Sequence, residues 1–229
     1  MRIGIIGHAI HIERENQDWA VEDTVFYTVQ AALRSAGMSI GQIDTVIQAG
    51  DDVLDGLSIQ HVQTVEAAGA FQKEESKVER DGAWAVHYAI ARLLTGKFKT
   101  ALVAGFSKGT QCGLSAFSGM AADPFYLRPV GADANTIAAI QAGYFSGRTK
   151  ASEKDFAEVA SKNRKAGIKN PRIMKGEAGD YSVEDILKSR KIASPITELS
   201  TGRTGDGCVA LILATEEYCK ENKLEASYI

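Results

Sequence analysis

The chain has 229 residues, of which 45% are hydrophobic, so it can bury a substantial core as one domain with an insertion. A net charge of −3 provides no overall basic field for nucleic acid, and the four histidines lack the spacing of metal ligands. These features exclude nucleic-acid binding and a metal centre from the expected functions.

The three cysteines are odd in number and widely spaced, which favours free thiols in a reducing compartment over a disulfide framework. The N-terminal residues 1–10 are too weakly apolar for a signal peptide, and the longest strongly apolar run, 208–214, is too short to span a bilayer. We therefore expect a cytoplasmic protein that does not contact a membrane.

The first elements along the chain form an alternating pattern. Residues 2–7 are predicted to form a buried strand, 21–37 an amphipathic helix that stops at Gly37, and 43–48 a second strand. A strand, a helix and a strand joined by short loops are typical of a right-handed crossover in a parallel or mixed sheet.

The pattern then repeats with two more helices. We predict helices over 62–71 and 83–95, the second being buried, with Asp81 as its N-cap. His87, on that second helix, is predicted to be a hydrogen-bonded core residue. Strands are predicted over 100–105 and 208–214.

Between residues 107 and 200 the chain is more polar and glycine and proline interrupt its helices. Helices are predicted over 135–146, 153–166 and 183–189, and the whole segment is interpreted as an insertion folded over the sheet. A basic run within it comprises Lys162, Arg164, Lys165, Lys169, Arg172 and Lys175. This run predicts a solvated helix end and loop, with phosphate binding as the alternative.

Four segments together resemble thiolases of the sterol-carrier-protein-x type. They read VERDGAWAVHYAIARLLTGKFKTALVAG (78–105), DPFYLRPVGADANTIAAIQAGYF (123–145), DFAEVASKNRKAGIKNP (155–171) and VEDILKSRKIASPITELSTGRTGDGCVALILATEE (183–217). The resemblance implies an α/β fold, namely a thiolase-like half with a mixed five-stranded sheet and helices on both faces. It also implies that 1–229 is a single thiolase N-terminal-type domain with 107–200 as a helical loop-region insertion.

The family's nucleophilic cysteine is not present in this sequence. Matching Gly82 to the glycine of the family's Cys-x-Ser-Gly motif puts Glu79 at the cysteine position and Asp81 at the serine position. Matching on the following strand shifts the cysteine position to Arg80. A carboxylate at Glu79 can act as a nucleophile in principle, or it can be satisfied at the helix N-terminus.

The resemblance also implies where coenzyme A would lie. The turn containing Ser200, Thr201, Gly202, Arg203 and Gly205 is similar to a loop that lines the pantetheine channel in the family, and a plain glycine turn is the alternative. A coenzyme A thioester is then the expected substrate, with no covalently bound cofactor.

The family's later histidine motifs and its Cys-x-Gly-Gly segment have no counterpart in this chain. A Claisen condensation needs a thiolate and a second acid/base centre, so we expect no such reaction from this chain alone. A thiolase-like second half or a full-length subunit is the expected partner, and a zinc-ribbon and OB-fold protein is permitted as a further one. A truncated gene product is the alternative to this split assembly.

Three functional classes remain open. The chain is a subunit of a heteromeric acyl-CoA acyltransferase whose partners supply the catalytic His and Cys, or a non-catalytic thiolase-like scaffold with a pseudo-active site. In the third class, Glu79 and Asp81 act as bases in the cleavage or hydrolysis of a coenzyme A thioester.

Overall fold

The computed structural model describes residues 2–13, 18–56, 58–174 and 176–229. Within them the chain forms two compact units. The first, here called the sheet unit, contains the residues up to Gln111 together with Asp206–Ile229, and the second, the helical unit, is Cys112–Gly205.

The described strands are β1 (Ile3–Glu13), β2 (Thr45–Gly50), β3 (Glu74–Glu79), β4 (Thr100–Ser107), β5 (Lys191–Ala193), β6 (Ile196–Thr197), β7 (Asp206–Thr215) and β8 (Ser227–Tyr228). The described α-helices are α1 (Val21–Ala36), α2 (Asp52–Asp55), α3 (His61–Thr64), α4 (Gly82–Leu94), α5 (Leu114–Ala121), α6 (Ala134–Thr149), α7 (Glu153–Gly167), α8 (Val183–Lys188) and α9 (Glu216–Asn222).

The sheet unit is built on a mixed sheet with the strand order β3-β2-β4-β7-β1-β8. Strand β2 is parallel to both β3 and β4, whereas β7 is antiparallel to β4 and β1. The prediction of a mixed α/β fold is confirmed. The predicted count of five strands is wrong by the two-residue β8, which pairs with Gly4 and Ile5 and is too short to show a strand pattern in sequence.

Helices cover both faces of this sheet, as predicted. Alternate residues of β4 point to opposite faces, so Leu102 and Ala104 pack with α1 while Ala101 and Val103 pack with α4. Helix α1 buries its apolar face completely, and full burial of a valine or leucine contributes about 1.5–3 kcal/mol each relative to exposure. A Cβ at Gly7 would lie 2.6 Å from the Cβ of Ala36, so only glycine lets the helix approach β1 this closely.

The segment between β2 and α4 differs from the predictions in two respects. The predicted helix over 62–71 is helical only in α3, because the chain continues in turns to Gly69, which adopts a left-handed φ of 72°. Strand β3 was not predicted, because its sequence EESKVE is polar. It is an edge strand that pairs only with β2, so its side chains need less burial than those of a central strand.

The helical unit contains the three helices predicted in this part of the chain. A side-chain cap marks the N-terminus of each of them. Asp133, Ser152 and Ser182 each accept a hydrogen bond from a backbone amide in the first turn of α6, α7 and α8 respectively. Helix α5 is an additional element that was not predicted.

Candidate functional site

The segment that joins β3 to α4 is a sharp strand-to-helix turn, here called the elbow, formed by Glu79, Arg80 and Asp81. It lies at the carboxyl ends of the parallel strands β2, β3 and β4, the edge of an α/β sheet where ligands commonly bind. Arg80 has a φ of 87°, a conformation that costs a non-glycine residue about 1–3 kcal/mol. Its amide donates to the carbonyl of Gly50 at 3.0 Å, which fixes the turn against β2.

Asp81 is the N-cap of α4, as predicted. Its Oδ1 accepts from the amides of Ala83 at 2.9 Å and Trp84 at 3.2 Å. These bonds satisfy two of the amides that the start of a helix leaves without intrahelical partners. The Asp81 carboxylate therefore has a structural task within its own helix.

Glu79 is held by its neighbours in a small charge cluster. Its Oε1 accepts from the amide of Asp52 at 3.0 Å, and its Oε2 lies 2.6 Å from Nζ of Lys77. Lys77, which is largely buried, also pairs with the Asp52 carboxylate. The cluster thus ties the end of β3 to the start of α2, while half of the Glu79 side chain remains exposed.

The charges in this cluster stabilise one another. Burial alone would raise the pKa of Asp52, but hydrogen bonds from Lys77 and from the amides of Gln60 and Ile59 lower it below its ordinary value. Burial likewise opposes the charge of Lys77, and hydrogen bonds to Asp52 and Glu79 raise its pKa above the ordinary value. Asp52 and Lys77 are therefore both held in their charged forms.

No thiol takes the place of the absent nucleophile at the elbow. Cys208 lies buried on β7, where burial raises the pKa of its thiol to about 12, and Cys219 on α9 is also buried with a raised pKa. Both thiols are protonated near neutral pH and are therefore poor nucleophiles. Cys112 belongs to the helical unit.

His87 lies on the exposed side of α4, so its prediction as a core residue is wrong. Helix α4 buries Ala85, Ala89 and Leu93 against the sheet and leaves its opposite side exposed. That exposed side, here called the outer face of α4, consists of Trp84, His87, Tyr88, Ala91 and Leu94. His87 falls on this side because the helical repeat places it three residues from Trp84 and four from Ala91.

The predicted coenzyme A turn lies in the helical unit. Ser200, Thr201 and Gly202 line a groove of about 250 Å³ whose other walls are formed by Ala160, Asn163, Arg164, Gly167, Ile173, Glu177 and Leu199. Arg203 points toward Glu177 and Glu198, with an ion-pair distance of 3.7 Å to each. Gly205 is the last residue of the unit and does not line the groove.

The basic run of the helical unit divides into two kinds of residue. Lys162, Lys165, Lys169 and Arg172 are exposed, whereas Arg164 is buried. Lys175 lies outside the described residues. Arg164 therefore cannot present its charge to solvent as the phosphate-binding alternative requires.

No family model matches the chain, but individual proteins of known sequence or structure are similar to parts of it or to its fold. Sterol carrier protein 2 of Oryctolagus cuniculus is 34% identical over 74 residues, which are 32% of this chain and 13% of that protein. The benzoylsuccinyl-CoA thiolase subunit BbsB of Thauera aromatica is 31% identical over 83 residues, 36% of this chain and 21% of that protein.

Solved structures match over nearly the whole chain. The human mitochondrial 3-ketoacyl-CoA thiolase in complex with CoA superposes with a TM-score of 0.75 at 13% identity, covering 98% of this chain and 67% of that one. Acetyl-CoA acetyltransferase from Syntrophomonas wolfei also gives a TM-score of 0.75, at 16% identity with the same coverage of both chains.

The chain therefore has a thiolase-like fold, and about a third of its sequence is similar to sterol carrier protein 2 and to a thiolase subunit. A third structure, the Ltp2-ChsH2(DUF35) aldolase, superposes with a TM-score of 0.74 at 20% identity over 96% of this chain and 57% of that one. The chain thus spans 57–67% of the length of the thiolase-like chains on which it superposes.

One polar cavity of this thiolase-like chain has no counterpart in the sequence predictions. It has a volume of about 210 Å³ in the sheet unit and is lined by Ala20, Val21, Asp55, Gln60, Gln63, Lys108 and Gln111. Asp55 is buried, which raises its pKa although Ser107, the Lys108 amide and Gln60 donate hydrogen bonds to it. In the sequence, the acidic loop that follows β2 could have indicated this cavity, because the loop lies at the carboxyl edge of the sheet.

Two further observations concern the described residues only. They include no group of three or more His, Cys, Asp or Glu side chains arranged to hold a metal ion. None of the described helices has the length and apolar character needed to cross a membrane.

Proposed function

We propose that this chain is a subunit of a heteromeric thiolase-like acyl-CoA acyltransferase. In this proposal the chain contributes to the acyl-CoA pocket while partner chains supply the catalytic histidine and cysteine. The substrate is a coenzyme A thioester, and no covalently bound cofactor takes part.

The elbow is the observation that carries the proposal. It keeps a strand-to-helix turn with a strained residue at its tip, a geometry that presents a nucleophile in other α/β enzymes. The residues at the turn are Glu79, Arg80 and Asp81, and both carboxylates already bind protein groups. In this proposal, a partner chain supplies the nucleophile that acyl transfer through a covalent intermediate needs.

The outer face of α4 supports association with such a chain. Trp84 is 60% exposed, Tyr88 40% and Leu94 51%, and they occupy the side of the helix opposite the buried Ala85, Ala89 and Leu93. A helix that is apolar on both sides is normally buried on both sides. A thiolase-like second half or full-length subunit that packs on this face would remove its apolar surface from water.

The relatives give the proposal its chemistry. BbsB is by name a subunit of a thiolase that acts on a CoA thioester, and the human thiolase structure contains CoA. The Ltp2-ChsH2(DUF35) aldolase is by name an assembly of two components. On the basis of these names we propose that the present chain works with a partner subunit. A small zinc-ribbon and OB-fold protein is proposed as a further partner.

Within this proposal the turn of the helical unit binds the coenzyme A moiety. Ser200, Thr201 and Gly202 line an open groove, and Arg203 lies beside it. Gly205, the last residue of the helical unit, is the end of this turn. Residues 1–229 then act as one thiolase N-terminal-type domain in which 107–200 is the loop region.

The test is co-purification of the full chain from its native source, followed by mass spectrometry of the proteins that remain bound. We expect a thiolase-like chain with its own histidine and cysteine motifs in a fixed ratio. Trp84→Glu should abolish this association, because it places a charge on the outer face of α4. Phe71→Glu is the matched control, since Phe71 is 74% exposed and lies outside that face.

Purification of the chain without any partner, or equal association of both variants, would contradict the proposal. A partner that carries a complete Cys, His and Cys set by itself would instead indicate that this chain is a non-catalytic scaffold.

A second candidate function is favoured by the aldolase among the similar structures. In this case Glu79 acts as a general base in the cleavage of a coenzyme A thioester. Half of its side chain is exposed, so a substrate can reach it. Glu79→Gln in the purified assembly separates the two functions, because a general base contributes about 10²–10⁴-fold to the rate and the acyltransferase subunit does not use Glu79.

A further inference from the structure

Arg164 is a buried charged side chain of the helical unit that is held by several hydrogen bonds. It lies on α7 with only 8% of its side chain exposed. Its guanidinium donates three hydrogen bonds of 2.7 Å, from Nε to the carbonyl of Leu199, from Nη1 to that of Glu177 and from Nη2 to that of Thr201. These bonds connect α7 to two separate segments of the chain.

Two of the three acceptors flank Ser200, the first residue of the turn. The carbonyls of Leu199 and Thr201 both point at the same guanidinium, so the backbone on either side of Ser200 has one fixed direction. The hydroxyls of Ser200 and Thr201 donate to the carbonyls of Thr197 and Glu198, which holds them within the turn. The hydrogen bonds from Arg164 to the two carbonyls are here called the latch. A Cβ at Gly202 would meet no atom within 4 Å, so the turn is open beyond the latch.

The charge of Arg164 is balanced by Glu177. The Glu177 carboxylate lies 3.7 Å from Arg164 and 3.7 Å from Arg203, and only 14% of its side chain is exposed. Glu177 therefore links the buried arginine to the arginine of the turn. A buried charge is tolerated when it is paired and hydrogen-bonded, and Arg164 has three hydrogen bonds to carbonyls together with the nearby Glu177 carboxylate.

We infer that Arg164 is the positioning residue of the coenzyme A turn. It touches no ligand through its own charge and acts by fixing the carbonyls of Leu199 and Thr201, and so the backbone that lines the groove. This inference rests on the proposed function for the identity of the ligand. The latch itself is a property of the backbone and can be measured without coenzyme A.

Lysine cannot reproduce this arrangement. The three acceptors belong to three different residues, and the planar guanidinium reaches them with donors fixed in one plane. An ammonium group keeps the charge but is a single point with a shorter reach. Arg164→Lys therefore removes the geometry while it retains the positive charge beside Glu177.

The experiment compares the wild-type full chain with Arg164→Lys and with Ser161→Ala. Ser161 lies on the same helix and donates to the carbonyl of Tyr181 at 2.6 Å, so Ser161→Ala removes a comparable bond that does not reach the turn. Coenzyme A affinity is measured by titration calorimetry, and backbone amide exchange is measured over residues 197–205. Thermal unfolding of each variant establishes that it is folded.

We expect Arg164→Lys to raise amide exchange over 197–205 and to weaken coenzyme A binding by about tenfold or more. Ser161→Ala should leave both unchanged even if its melting temperature falls. A folded Arg164→Lys variant with wild-type exchange and affinity would overturn the inference. If the wild type binds no coenzyme A, the proposed function fails, and the exchange measurement still decides whether Arg164 holds the turn.

Discussion

The elbow and the coenzyme A turn differ in how their polar groups are used. At the elbow, the carboxylates of Glu79 and Asp81 bind neighbouring amides and Lys77, so the groups at the family's nucleophile position maintain the backbone. At the turn, a residue from a separate helix, Arg164, holds the backbone, and the open side near Gly202 remains accessible. The comparison teaches that a turn can be held in shape either by side chains of its own segment or by a side chain from a separate helix.

The largest effect should follow from removing the support of the turn. Arg164→Ala leaves three buried carbonyls without a donor and removes one partner of a buried ion pair, so we expect a loss of about 3–5 kcal/mol in the free energy of unfolding. Urea denaturation measures this loss. Ser161→Ala should cost only about 1 kcal/mol. An equal effect of the two substitutions would mean that the turn is not held by Arg164.

A smaller effect is expected at the elbow, where support comes from within the same helix. Asp81→Ala removes the N-cap of α4 and should lower the free energy of unfolding by about 1 kcal/mol. Asp81→Asn is the control, because asparagine caps a helix about as well as aspartate. Urea denaturation of both variants is the measurement. A similar loss for both would show that the negative charge matters more than the cap.

The strained residue of the elbow predicts a gain in stability. Arg80→Gly relieves about 1–2 kcal/mol of left-handed strain, of which about 0.5–1 kcal/mol is offset by the greater freedom of glycine in the unfolded chain. We therefore expect a net stabilisation of up to about 1.5 kcal/mol in urea denaturation. Arg80→Ala keeps the Cβ and should give no gain. If both variants were more stable than the wild type, the gain in stability would come from removal of the guanidinium and not from relief of backbone strain.

The charge cluster of the elbow should give the smallest effect, visible only in its pH dependence. The pKa of Asp52 in the folded protein is below its ordinary value of 3.8, so its ionised form stabilises the fold. This contribution is complete above about pH 4 and is lost as the pH falls through the lower folded pKa. Asp52→Asn should therefore show a flatter decline of stability between about pH 4 and pH 2, measured by thermal unfolding. Parallel curves for variant and wild type would contradict this.

Much of the fold could be predicted because its strongest signals are local. Helix α1 combines an apolar repeat with a glycine stop at Gly37, and α4 combines its repeat with the Asp81 cap. Three helices of the helical unit start at capping residues that hydrogen-bond within one turn. Such signals depend on only a few neighbouring residues, so they can be recognised from the sequence alone.

The elements that escaped prediction depend on distant partners. Strand β3 is polar and is a strand only because β2 lies beside it, and β8 is defined by its pairing with β1. His87 was predicted to lie in the core because the helical periodicity distinguishes the two sides of a helix. It does not indicate which side other elements pack against. The cavity around Asp55 joins residues from three segments of the chain, and the acidic loop after β2 indicates only one of them.

The sequence by itself determined the resemblance to thiolases, the main helices and the absence of a cysteine between β3 and α4. Only the tertiary structure decided what the remaining groups do. Glu79 and Asp81 are committed to protein amides, Arg164 is buried as a latch, and the outer face of α4 is exposed. The physical reason is that residue type sets which bonds a side chain can form, whereas packing sets which partners are within reach.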